Sequence, residues 1–189
     1  LSIYLSIYLS IYLSIVICRY QSSMAHQVPE STGDSAAHKF TRDNDTIAAL
    51  NITTAFLRAT FPSTPIVFSI GNNDCIRNYV QNNTPYDPWL GVLYDIYQYY
   101  LPSTARTTFL YGGYYTHDIS AKLSVLSLNT ILYATRHTPT LDPATTPDPL
   151  NQFAWLRSEL ERAKFNDERM YLDCLIRLIG LVIDDWIGD

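Results

Sequence analysis

A run of apolar residues that ends in a glycine turn constrains the fold of this chain more than any other feature. Residues 66–70 are almost all β-branched or aromatic, which is typical of a strand covered on both faces. The run continues directly into Gly71-Asn-Asn-Asp74, where a glycine precedes two amides and a carboxylate. Glycine lets the backbone turn sharply and approach a ligand closely. The segment therefore predicts a central strand of an α/β sheet with polar side chains at its end.

A second short motif of the same kind, Gly33-Asp-Ser-Ala-Ala-His38, lies upstream. An aspartate can bridge two cations through its two oxygens, and an asparagine adds a neutral carbonyl donor. Two divalent cations about 3.5–4 Å apart can clamp a phosphate group and activate a water molecule. The two motifs together favour a metal-dependent phosphoesterase. For Asp74 two roles stay open, which are support of a ligand side chain and capping of the following turn.

Helical patterns alternate with apolar strand patterns along the rest of the chain. Helical spacing over residues 45–61 places five apolar side chains on a predicted buried face: Ile47, Leu50, Ile52, Phe56 and Leu57. The pairs Asp87-Pro88 and Asp148-Pro149 predict two further helix N-termini. Residues 109–115 predict a strand with a glycine turn, residues 122–130 a core strand, and residues 137–149 a loop. This alternation indicates an α/β fold.

The two ends of the chain differ from the middle. The tetrapeptide Leu-Ser-Ile-Tyr opens the sequence and is repeated, and the apolar run through residue 18 is marginal in length for a membrane span, which needs about 20 residues. Residues 1–27 are therefore either a membrane anchor with a polar linker or the translation of repetitive DNA. We expect a partial domain over residues 28–171 and a divergent apolar tail over residues 172–189.

Composition and short motifs limit the partners and the compartment. A formal net charge of −5 without a Lys/Arg cluster disfavours nucleic-acid binding, which draws on a basic surface. Three Asn-x-Thr acceptor patterns, at Asn44, Asn51 and Asn82, favour a glycoprotein of the secretory route. His137 lies among polar residues and is predicted to be exposed, whereas His117 is predicted to line the cleft.

In this order, the motifs resemble the calcineurin-like metallophosphoesterases, in particular their endopolyphosphatase and acid-sphingomyelinase-like branch. The resemblance covers about residues 30–171 and rests on five segments: Thr32-Gly-Asp-Ser-Ala-Ala-His38, Pro65-Ile-Val-Phe-Ser-Ile-Gly-Asn-Asn-Asp74, Gly112-Gly-Tyr-Tyr115, Lys122-Leu-Ser-Val-Leu-Ser-Leu-Asn-Thr130 and Asp148-Pro-Leu-Asn-Gln-Phe-Ala-Trp-Leu156. It implies the central part of a metallophosphoesterase-type β-sandwich flanked by helices and incomplete at both ends. It also implies two divalent metal ions and leaves the choice among Zn, Mn, Mg and Fe open.

Carried over by position, the resemblance makes Asp34 the bridging metal ligand and Asn72 a ligand of one metal ion. His38 falls where family members place a histidine near the phosphate or the leaving group. Asn73 occupies the position of a catalytic histidine, a candidate general acid, in sphingomyelinase-like members. An amide cannot deliver a proton at ordinary pH. The Gly-Asn-Asn-Asp string looks like that of endopolyphosphatases.

Several motifs of the family pattern do not occur in this sequence: an Asp-x-His before Gly33, and a later Gly-His and Gly-His-x-His. We therefore expect an endopolyphosphatase-like hydrolase of phosphoanhydride or phosphodiester bonds that is inactive as this fragment, with a phosphate-containing substrate such as polyphosphate. The alternatives are an acid-sphingomyelinase-like phosphodiesterase and a non-catalytic pseudoenzyme or truncated product. We expect it in the vacuole or lysosome lumen or secreted, with membrane anchoring through residues 1–18 left open.

Overall fold

The computed structural model describes Glu30–Ser31, Ala36 and residues 42–173. Four α-helices lie within these residues: α1 Asp43–Thr60, α2 Pro88–Tyr97, α3 Arg106–Gly112 and α4 Gln152–Asn166. Five strands accompany them: β1 Glu30–Ser31, β2 Val67–Phe68, β3 Tyr115–Ser120, β4 Leu123–Ser127 and β5 Arg169–Asp173. The predicted repeat and nearly all of the predicted tail lie outside the described residues.

The strands form two small sheets. β1 pairs with β2 in parallel, with Glu30 opposite Val67. In the other sheet β4 is central, antiparallel to β3 and parallel to β5. The described residues thus form a mixed α/β arrangement, which agrees with the predicted class. The β-sandwich stays a prediction.

Two polar side chains connect β2 to the three-stranded sheet. The backbone N–H of Phe68 donates to the Tyr115 hydroxyl at 2.9 Å, and that hydroxyl donates to the Phe68 carbonyl at 3.0 Å. The Ser127 hydroxyl donates to the same carbonyl at 2.8 Å. Burial raises the pKa of Tyr115, which keeps the phenol protonated. Side chains of β3 and β4 therefore satisfy backbone groups of β2 that would otherwise be buried without partners.

The predicted strand over residues 66–70 is confirmed in its burial, since all five residues are buried. Within the residues that the structure describes, its ladder pairing covers Val67–Phe68. The Phe68 ring stacks on Tyr97 of α2, with ring centroids 4.5 Å apart. The strand therefore lies in the main core, as its composition indicated.

The predicted helix over residues 45–61 is confirmed as α1, but two of its expected core positions are wrong. Leu50 and Leu57 are buried, whereas Ile52 is 43% exposed and Phe56 41% exposed. The buried face instead includes Thr46, Ala49, Thr53 and Thr54. Apolar spacing alone thus mispredicted which residues of α1 are buried, because small polar residues make up half of the buried face.

The predicted strand over residues 109–115 is wrong in its first part. Residues 109–112 belong to α3, and Gly113 caps this helix in the left-handed region at φ 80°, with its N–H donating to the Phe109 carbonyl at 2.8 Å. A glycine after the last helical turn is a common C-terminal stop. The glycine pair therefore ends a helix, and the strand begins at Tyr115.

The remaining predicted boundaries agree with the structure. Asp87 caps α2 by accepting from Trp89 N at 3.0 Å. Asp148 precedes a 3-10 turn over Pro149–Asn151 that leads into α4, and β4 lies inside the predicted strand over residues 122–130. Residues 137–148 form a loop. In the part of the chain that the structure describes, no helix has the length and apolar character required to cross a membrane.

Candidate functional site

The asparagine turn, residues 71–74, follows β2 and folds back tightly. Asp74 N donates to the Gly71 carbonyl at 3.1 Å, and the Asn72 carbonyl accepts from Tyr79 N at 3.2 Å. The indole Nε1 of Trp89 donates to the Asp74 carbonyl at 2.8 Å, which anchors the turn to α2. The predicted tight turn after a buried strand is confirmed.

The two amides of this turn lie side by side and are nearly buried. The exposed fraction is 5% for Asn72 and 8% for Asn73. Asn72 Nδ2 donates to Asn73 Oδ1 at 3.0 Å and to Asn78 Oδ1 at 2.6 Å. These contacts orient the Asn72 amide, whose Oδ1 is a neutral oxygen of the kind that divalent cations bind.

The Asp74 carboxylate links the two glycine motifs. It is fully buried, its Oδ2 accepts from Gly71 N at 2.9 Å and its Oδ1 accepts from Ala36 N at 3.2 Å. Ala36 lies two positions after Asp34 in the sequence. The carboxylate therefore contacts both Gly71, the glycine of its own turn, and a residue of the upstream motif.

The structure describes two of the four predicted site residues. It brings Asn72 and Asn73 together, whereas Asp34 and His38 lie outside the described residues. Among residues 42–173 and the short described stretches before them, no group of three or more His, Cys, Asp or Glu side chains could hold a metal ion. The amide of Asn72 suits a divalent cation, and the roles of all four residues stay predictions.

The histidines within the described ranges are not arranged as a ligand pair. The prediction that His137 is exposed is wrong, since its side chain is 3% exposed and Nδ1 lies 2.7 Å from the Pro139 carbonyl. The loop folds inward because Thr138 N donates to the Tyr79 carbonyl at 2.9 Å. His117 is half-buried on β3. Burial lowers the pKa of both imidazoles.

A buried amide network around Asn129 was not predicted. Asn129 is fully buried, and its Nδ2 donates to Gln81 Oε1 at 3.1 Å and to the Gly112 carbonyl at 2.9 Å. Gln152 accepts from Asn129 N at 2.7 Å and donates to its carbonyl at 3.3 Å. The signal that could have identified Asn129 is its position in the sequence, because it follows strand β4 much as Asn72 follows strand β2.

Comparison with known proteins gives relatives that share about a third of their residues with this chain where they align. Sphingomyelinase phosphodiesterase D of Dictyostelium discoideum is 32% identical over 146 residues, which are 75% of this chain and 31% of that protein. Cyclic GMP-AMP phosphodiesterase SMPDL3A of Bos taurus is 31% identical over 148 residues, 75% of this chain and 32% of that protein. Endopolyphosphatase of Schizosaccharomyces pombe is 30% identical over 152 residues, 75% of this chain and 26% of that protein.

The chain thus spans about a third of the length of these curated relatives. No family model matches it. The aligned region nevertheless covers most of the chain in relatives of both predicted branches. The chain belongs to the metallophosphoesterase-type family that includes these sphingomyelinase-like phosphodiesterases and endopolyphosphatases.

Proposed function

We propose that this chain is part of a metal-dependent phosphohydrolase in which Asn72 contributes an oxygen ligand. The observation that carries this proposal is the asparagine turn itself, where a buried strand ends in an amide that Asn73 and Asn78 hold in place. Two divalent cations, when bound, would clamp a phosphate group and raise the reactivity of a water molecule. Asp34 would hold both ions, and His38 would lie near the phosphate.

Asn73 supports a phosphoanhydride substrate such as polyphosphate over a phosphodiester. Its Oδ1 accepts from Asn72, so this side chain orients a neighbour, and an amide cannot act as a general acid. A departing phosphate stabilises negative charge without a proton, whereas a departing alcohol benefits from proton delivery. Phosphoanhydrides are therefore the leading substrate class, because their hydrolysis needs no general acid at the position of Asn73.

A sphingomyelinase-like phosphodiesterase is the alternative within the family. Its support is the similarity to the Dictyostelium protein, which extends over 75% of this chain at 32% identity. Hydrolysis assays on a protein extended to the length of the relatives separate the two. Cleavage of polyphosphate to shorter chains, without cleavage of sphingomyelin or nucleotide esters, is the expected result. The opposite preference would reject the polyphosphate assignment.

Metal binding tests the proposal at the level of the chain. Titration with Mn²⁺ or Zn²⁺, followed by calorimetry, measures the number of ions and their affinity. We propose that this chain, which lacks the Asp-x-His and Gly-His-x-His strings, binds ions weakly and does not hydrolyse polyphosphate alone. Asp34→Ala and Asn72→Ala should each weaken the residual binding by about tenfold or more. Asn44→Ala, an exposed change on α1, is the matched control. Binding that survives both site changes would refute the assignment.

The secretory route is a further part of the proposal, with a vacuolar or lysosomal lumen or secretion as the destination. Its support is that the acceptor residues Asn44, Asn51 and Asn82 are all exposed. The Asn51 amide donates to the Ile47 carbonyl within α1, while Asn82 lies in a loop. We expect glycosylation at Asn82 above all. Expression in a secretory cell and treatment with an N-glycosidase, compared with Asn82→Gln, measures it as a shift in mass.

A further inference from the structure

We propose that Asp74 is a positioning residue that fixes Ala36, two residues after Asp34, against the asparagine turn through both of its carboxylate oxygens. One oxygen accepts from Gly71 N, next to Asn72, and the other accepts from the N–H of Ala36, a residue of the Asp34 motif. The consequence for metal binding rests on the proposed function. The positioning itself rests on the contacts of Asp74 alone.

The two contacts differ in what they hold together. The bond to Gly71 closes a turn over three residues, whereas the bond to Ala36 spans 38 residues of sequence. A carboxylate is planar and rigid, so its two oxygens cannot separate when the segments move. Hydrogen bonds from backbone N–H groups to a charged acceptor are also stronger than neutral ones. One side chain thus sets the spacing of two segments that are distant along the chain.

The residue that sets this spacing, Asp74, is itself anchored through its backbone. The carbonyl of Asp74 accepts from the Trp89 indole at 2.8 Å, and Trp89 lies in the first turn of α2 with 7% of its side chain exposed. The backbone of the turn therefore cannot shift toward the upstream motif without breaking a buried contact to a helix. Through Asp74, the position of Ala36 therefore depends on the position of α2.

A purely stabilising role is the competing explanation, and Asp87 shows what it looks like. Asp87 is 6% exposed, and its two oxygens accept from Asn82 N and Trp89 N, each at 3.0 Å. It has the same chemistry and similar burial, but it joins residues of one local segment. Asp87→Asn is therefore the matched control for Asp74→Asn, because each change turns one acceptor oxygen into a donor beside a backbone N–H.

The experiment compares both variants in the full chain by hydrogen exchange and by Mn²⁺ calorimetry. We expect Asp74→Asn to accelerate exchange across residues 33–38 at least tenfold relative to residues 152–166, and Asp87→Asn to accelerate residues 82–89 without this effect. Mn²⁺ affinity should fall at least tenfold in Asp74→Asn alone. Equal acceleration throughout Asp74→Asn, or unchanged exchange at residues 33–38, would overturn the proposal.

A second pair of variants keeps the test valid if Asp74→Asn does not fold. Ala36→Pro removes the N–H donor and leaves the carboxylate in place, while Ala36→Gly keeps the donor. The local acceleration should occur in the proline variant only, and its occurrence in both would count against Asp74. If the unaltered chain binds no Mn²⁺, the metal-binding role of the chain fails. The exchange rates still decide the positioning role.

Discussion

Two asparagines follow buried strands in this chain, and they are held in different ways. The Nδ2 of Asn129 donates to two groups from elsewhere in the chain, Gln81 and Gly112. The Gln152 side chain bonds to both the backbone N–H and the carbonyl of Asn129. Among the described residues, the Nδ2 of Asn72 donates to Asn73 and Asn78, which lie in its own loop. An amide bonded across elements serves as a cross-link. An amide bonded within its own loop keeps its orientation as long as the loop stays folded. Such a fixed orientation suits a side chain that binds a metal ion.

The largest expected effect falls beside Asn129, at Gly113. This glycine adopts φ 80°, and a Cβ there would lie 2.7 Å from Ile70 Cδ1 and 2.8 Å from Asn129 Nδ2. We expect Gly113→Ala to lower the free energy of unfolding by about 3 kcal/mol, from backbone strain and overpacking together. Urea denaturation measures it. In the control, Gly91→Ala, the added methyl meets nothing within 4 Å in α2 and should not destabilise.

The direct comparison of the two amides is the next largest effect. Asn129→Ala should lower the free energy of unfolding by about 2 kcal/mol, since buried acceptors at Gln81 and Gly112 lose their donor. Asn72→Ala should cost about 1 kcal/mol, because one of these two acceptors, Asn73, is buried, whereas the other, Asn78, is exposed and can bind water. The same urea titration serves both variants. Equal losses would remove the distinction between cross-link and ligand.

Metal affinity should rank the two amides in the reverse order. Asn72→Ala is expected to weaken Mn²⁺ binding by about tenfold or more, equivalent to about 1.4 kcal/mol, because an oxygen donor is lost. Asn129→Ala should leave the affinity unchanged at temperatures where the variant is folded. Calorimetry on both proteins measures this, and a matching loss in Asn129→Ala would show that the network also shapes the ion site.

The smallest expected effect is a pH dependence centred on His137. Burial lowers the pKa of this imidazole below its ordinary value of about 6.5, so the unfolded chain binds the proton more tightly. The stability it supports is present above about pH 6.5 and is lost as the pH falls below that value. His137→Gln should flatten this part of the stability profile in urea titrations between pH 7 and pH 5. His117→Gln is the comparison, and an unchanged slope in both variants would exclude histidine titration as the cause.

Local patterns predicted much of the fold and only part of the site. Apolar spacing located α1, and the Asp87-Pro88 pair located the start of α2, because these signals act within a few residues. The strand predicted over residues 109–115 was wrong for residues 109–112 because aromatic residues suit both strands and buried helices. The burial of His137 and the contact from Asp74 to Ala36 depend on segments that meet only in the folded chain. No local pattern carries that information.

The hydroxyl of Tyr115 bears on the order in which the molecule can assemble during its synthesis. It satisfies both backbone groups of Phe68, which precedes it by 47 residues. A ribosome therefore releases β2 and the asparagine turn well before their neighbour exists. Contacts between distant residues close late, because the intervening chain loses entropy when they form. The proposed ligand turn thus reaches its final shape only after β3 has emerged, and a nascent chain that stops before residue 115 would expose an unfinished strand.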